Sequence, residues 1–116
     1  MFLFFAIMYL RKKKTLRGYA KKRIETLWSN VDTHEYPAQK VLEADKVLHA
    51  AFKELGCKGD LGSLLKRHGS RLPNLDDVWM AHKLRNRIAH DAGIQVSEKD
   101  AARAVQAFRR AVYSFL

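Results

Sequence analysis

Cysteine and proline are scarce in this chain: Cys57 stands alone, and two prolines punctuate the 116 residues. A lone thiol closes no intramolecular disulfide and makes no zinc site by itself, so a disulfide-stapled fold is excluded. Cys57 reads as a small loop or core residue. No segment alternates apolar and polar residues with a period of two, which argues against a sheet architecture. The stretch Lys58-Gly59-Asp60-Leu61-Gly62 has the wrong glycine spacing for a phosphate loop, and no Gly-Lys-Ser/Thr comes after it. His34, His49 and His68 share no ligand spacing, and His82 with His90 lacks nearby partners apart from Asp91, so no metal and no cofactor is expected. There is also no Ser-His-Asp arrangement and no internal repeat.

Acidic residues are missing altogether between positions 11 and 23, where Arg11, Lys12, Lys13, Lys14, Arg17, Lys21, Lys22 and Arg23 stand. These eight carry most of the formal charge of +10. The other 14 basic residues face 12 acidic ones, 22 − 8 = 14 against 12, so the rest of the chain is near +2. A general phosphate-binding surface therefore has little electrostatic basis outside the one block.

Just before that block, Met1 to Leu10 is continuously apolar. Ten helical residues reach only about 15 Å, half of a bilayer's hydrocarbon core. Apolar residues leading at once into a basic block reverse the order of a secretory signal and match a partial anchor whose C-terminal side faces the cytoplasm. Arg11, Lys12, Lys13 and Lys14 would then lie against an anionic membrane surface, each adding roughly 1 kcal/mol. The competing expectation is a hydrophobic helix docked on its own domain. Residues 1–10 are thus read as an apolar segment, 11–35 as a basic stalk helix with its linker, and 36–116 as the globular domain.

From Leu16 onward the chain is governed by helical periodicity. Leu16, Ala20, Ile24, Leu27, Trp28 and Val31 keep a helical spacing through the basic region, as a stalk or as the first helix of a bundle. Residues 29–36 carry stop and start signals and read as a linker, and Pro37 suits a first helical turn. From Ala38 to Leu55 the residues Val41, Ala44, Leu48, Ala51, Phe52 and Leu55 share a face, ended by Gly56. A short helix is expected around Leu61 to His68. A longer one starts at the N-cap candidate Asn74, gains from Asp76 and Asp77 in its first turn, and stops at Gly93. Ser97 and Asp100 resemble a capping box opening a last helix, whose apolar side holds Ala101, Ala104, Phe108, Ala111, Val112 and Phe115. The expectation is an all-α bundle with short connections.

Two charged residues break this pattern. With Val78 as origin, Arg85 falls at about 340° on the helical wheel, inside the apolar arc of Ala81, Leu84 and Ile88. His82, Asn86 and His90, four residues apart, run along the edge of that arc, and Trp79 lies near Asn86 and His90. On the earlier helix Asp45 falls between Val41 and Phe52 on the wheel. An unpaired charge on a core-facing stripe is costly, so Asp45 and Arg85 are expected to form a structural pair or to snorkel to the bundle edge.

The chemistry of Arg85, Asn86 and His90 also permits another use. Histidine can exchange a proton near neutral pH and arginine can hold a phosphate bidentately. Together they suffice for RNA cleavage without metal, in which a 2′-hydroxyl attacks and the guanidinium stabilises the charged phosphorane. His82 and Trp79 are further binding candidates, Trp79 by stacking on a base or by packing at an interface.

The run Arg85-Asn86-Arg87-Ile88-Ala89-His90 resembles the Arg-x4-6-His motif of the HEPN superfamily. The likeness extends over about 36–116 and includes the helix bearing Glu43-Ala44-Asp45-Lys46. It looks closest to small bacterial HEPN-like domains. The resemblance implies a four- to five-helix HEPN-like bundle, here behind an N-terminal hydrophobic and basic helix. In catalytic members it also implies a metal-independent endoribonuclease whose Arg/His site, here Arg85, Asn86 and His90, forms across a homodimer of motif helices. Toxin-like members often continue past the histidine with a tyrosine, whereas Asp91-Ala92-Gly93 comes after His90 here. Many HEPN domains are binding modules without catalysis, so three expectations stand: a membrane-tethered interaction module for a protein or nucleotide, a dimeric endoribonuclease acting on RNA, and a purely structural bundle.

Overall fold

A computed structural model describes residues 15–116, so the apolar run and the Arg11 to Lys14 block lie outside the described residues. Five α-helices succeed one another: α1 (Gly18–Val31), α2 (Pro37–Glu54), α3 (Leu61–His68), α4 (Leu75–His90) and α5 (Glu98–Tyr113), with a 3-10 turn at Gly69–Arg71. The described residues contain no strand. The chain is an all-helical bundle, and none of these helices is long and apolar enough to cross a membrane.

Local chemistry sets the helix ends. Pro37 occupies the first turn of α2, where its missing N–H has no partner to lose. The helix closes ahead of Gly56, whose φ of +88° is a conformation glycine adopts without a side-chain penalty. His49 Nε2 then donates to the Gly59 carbonyl at 2.7 Å, and Arg67 donates to the Lys58 carbonyl, fixing the path into α3. Asp60 caps α3 by accepting from the Ser63 backbone N–H at 2.8 Å. Ser97 caps α5 by accepting from the Asp100 N–H at 3.0 Å.

Asn74 departs from expectation. It precedes α4 but makes no side-chain cap bond; its Nδ2 instead donates 3.0 Å to the Ala107 carbonyl on α5. A buried amide is better used to tie two helices than to close one end that Asp76 and Asp77 already favour electrostatically.

The core is built from Phe52, Phe108, Phe115, Leu48, Val41 and Ile24, all essentially without solvent contact. Phe52 meets Phe115 edge-on at 5.0 Å between centroids, so the C-terminal ends of α2 and α5 lie together. Asp45 on α2 meets His82 on α4, while Ala38 and His90 border a common hollow at one end. The two helices are therefore antiparallel.

From Leu16 onward the basic segment is packed into the bundle. In α1, Ile24, Trp28 and Val31 are buried in the same core as the other helices. The Leu16 N–H donates 2.7 Å to the Phe115 carbonyl, Trp28 packs edge-on against Tyr113, and Arg23 pairs with Glu54 at 3.3 Å. Ser29 and Asn30, which read as linker in the sequence, complete the last turn of α1, and the connection shrinks to 32–36. Burying Trp28 offsets the extension of the helix past its stop signals.

Trp28→Ala should lower global stability by about 3–5 kcal/mol in a single urea transition, as expected for a core aromatic; an unchanged midpoint would show α1 to be outside the cooperative unit. A second measurement concerns the α3 cap. The Ser63 backbone N–H holds the Asp60 carboxyl below its ordinary range. Its stabilisation is therefore fully present above the unfolded pKa and lost as pH falls through the lowered folded one. Urea titrations at a series of acidic pH values should show a shallower acid-side slope in Asp60→Asn than in the parent.

Candidate functional site

The chemistry-bearing residues gather where α2 and α4 face each other. Asp45 occupies a core-facing position of α2 and is 4% exposed. A carboxylate so far from water is tolerated when it is met by donors of positive or polarised character. His82 supplies the closest one: its Nδ1 lies 2.7 Å from Asp45 Oδ2. Because a carboxylate only accepts, Nδ1 carries a proton and donates it to this bond, which fixes the orientation of the ring. Trp79 packs edge-on against the imidazole at 6.2 Å, and the first turn of α3 approaches from the Nε2 side at Gly62.

Arg85 enters the same cluster from one turn further along α4. Its Nε lies 3.7 Å from Asp45 Oδ1, an ion-pair contact too long for a hydrogen bond. That Nε is buried and has no hydrogen-bond partner, while Nη1 donates 3.0 Å to Asn86 Oδ1. With its side chain 32% exposed, Arg85 is held by Asp45 and Asn86 at its inner side and reaches solvent at its outer side.

His90 goes elsewhere. It is exposed in the last turn of α4, beside a shallow hollow bordered by Ala38, Ile88, Gly93 and Ile94. Five residues separate it from Arg85, which turns it about 140° around the helix axis. Within one chain the structure thus brings together Asp45, His82, Arg85, Asn86 and Trp79, while His90 stands one turn beyond Asn86 and on a different side of the helix from Arg85. Chemically, the cluster is an oriented imidazole, a buried carboxylate and an anchored guanidinium with one accessible edge. The imidazole of His90 is exposed in the last turn of α4.

His82 carries a role that its place on the helical wheel does not assign to it. The wheel sets it on the edge of the apolar arc as a binding candidate, yet it is 9% exposed and is the nearest partner of Asp45. The signal is present in the three-residue spacing between His82 and Arg85, which sets both on the α4 face that meets Asp45. What the wheel omits is reach: a short rigid ring meets a buried carboxylate squarely, whereas a long flexible side chain passes it on the way to solvent.

Elsewhere, His68 is exposed, His34 and Cys57 are half-buried, and Cys57 is a free thiol. Among the described residues no group of three or more His, Cys, Asp or Glu stands close enough to hold a metal ion. No known family model, curated protein or solved structure matches this chain.

A mutant cycle ranks the two partners of Asp45. His82→Leu should cost about 3 kcal/mol by stranding the carboxylate, and adding Asp45→Leu should recover much of that loss. Arg85→Ala should cost about 1 kcal/mol or less, as suits a long, partly solvated contact. Chemical denaturation of the single and double variants reads these values; equal losses for His82→Leu and Arg85→Ala would overturn the ranking, and a larger loss for Arg85→Ala would make Arg85 the main partner instead.

Proposed function

We propose that this chain is a HEPN-like interaction module, tethered at the cytoplasmic face of a membrane by its N-terminal apolar and basic segment. Its partner is met by the part of α4 around Arg85 and Asn86. The reading rests on one observation: Arg85 is anchored from below by Asp45 and Asn86 and offers only its outer edge, while the exposed motif histidine, His90, is turned away from it. An anchored guanidinium with an accessible edge is a good fixed point for a protein partner, because little side-chain entropy remains to be lost on binding. It is a poor half of an acid–base pair within one chain. The Arg-x4-His spacing supports the HEPN-like part of this proposal, and the order of apolar run and basic block supports the tether.

Endoribonuclease activity is the second reading, favoured by the exposure of His90 in the last turn of α4, where a second copy could bring it to an Arg85. The two readings separate in one set of measurements on the full chain. As an interaction module it should leave single-stranded RNA intact in the presence of a chelator, at concentrations where light scattering would detect a dimer. A photo-crosslinking residue placed at Ala89, exposed and one turn from Arg85 on the same side of α4, should capture a defined protein adduct in cells, reduced by Arg85→Ala. Metal-independent cleavage abolished by His90→Ala, with the fold retained, would instead establish the nuclease.

A further inference from the structure

The end of the bundle where α1 begins and α5 finishes carries a charge pattern that the α2–α4 cluster does not use. The Leu16–Phe115 backbone bond places the start of α1 beside the end of α5. On α1, Arg17 and Lys22 are exposed and Lys21 is half-buried, with Lys21 and Lys22 flanking a shallow groove that also includes Gly18 and Glu25. On α5, Arg109 and Arg110 are exposed, and the Arg109 guanidinium lies 5.2 Å over the ring of Tyr113. Tyr113, in turn, packs against Trp28 of α1. Glu25 is the acid of this group, against five bases. Two large aromatic rings are exposed toward this end, Tyr19 at 84% in the first turn of α1 and Tyr113 at 48% in the last turn of α5.

We infer that this folded face, Lys21, Lys22 and Arg109 with Tyr19 and Tyr113, is a docking surface for an anionic lipid leaflet. The inference rests on the tethered reading and deepens it, since it assigns membrane contact to the bundle itself and not to the N-terminal segment alone. Three features favour lipid over another polyanion. The apolar run and basic block join the bundle at Leu16, so a chain anchored by them brings this end to the bilayer first. Tyrosine is suited to the headgroup layer, with an apolar ring and a polar tip. Long cationic side chains reach the headgroups while their stems cover apolar surface. With this end at the membrane, the hollow at His90, near the N-terminal end of α2, points away from it and stays open to a partner.

The test uses the full chain and phosphatidylcholine vesicles with and without phosphatidylserine, read by co-sedimentation. The face variant combines Lys21→Gln, Lys22→Gln and Arg109→Gln; the tether variant combines Arg11→Gln, Lys12→Gln, Lys13→Gln and Lys14→Gln. Circular dichroism confirms the fold of each. The face variant should lose on the order of 100-fold in partitioning onto the anionic vesicles, keep its partitioning onto neutral ones, and lose its difference from the parent at high salt. That loss supports the inference even if the parent fails to bind neutral vesicles, a result that would remove the apolar tether but not the basic face. A face variant that partitions like the parent while the tether variant does not overturns the inference and leaves the tether standing. A parent chain indifferent to phosphatidylserine that binds single-stranded RNA through the same three residues overturns it in favour of nucleic acid.

Discussion

The carboxylate of Asp45, taken out of water between α2 and α4, is the constraint to which the centre of this molecule answers. Such a group must be given donors or the two helices cannot close over it. His82 supplies a direct bond and Arg85 a longer-range charge, and both come from the same side of α4. Meeting that requirement sets the register of α4 against α2 and turns the indole of Trp79 against the imidazole. It also decides the posture of Arg85, whose inner edge is committed and whose outer edge is free.

That commitment bears on what the motif helix can do. In a single chain the arginine and the histidine of the Arg-x4-His spacing are not partners, because one is drawn inward and the other stands in the last helical turn beside an open hollow. The same arrangement would suit a rigid recognition strip, since the anchoring of Arg85 removes freedom before any partner arrives.

The bundle is also polarised along its length. The end bearing Leu16, Phe115 and the cations of α1 and α5 is where the basic segment joins, and the end bearing Ala38 and His90 is its opposite. Because α1 is folded into the core through Ile24, Trp28 and Val31, its lysines are held on a rigid surface and not on a wandering stalk. The charge of the sequence's basic block is thereby divided between a folded face and the residues that precede it.

Helical spacing and local capping signals made α2 to α5 legible, including the Leu61 start of α3 and the Ser97 cap of α5, because those depend on neighbours within one helical turn. It also marked Asp45 and Arg85 as charges on core-facing stripes, since burial of a stripe comes from spacing. Tertiary structure decided the rest. Only the packed helices could show that His82 is the nearer partner of Asp45, that Asn74 spends its amide on Ala107, and that α1 belongs to the core past its own stop signals. Spacing along a chain encodes which side a residue takes, whereas partner choice depends on side-chain reach and on the competition among groups that only folding brings together.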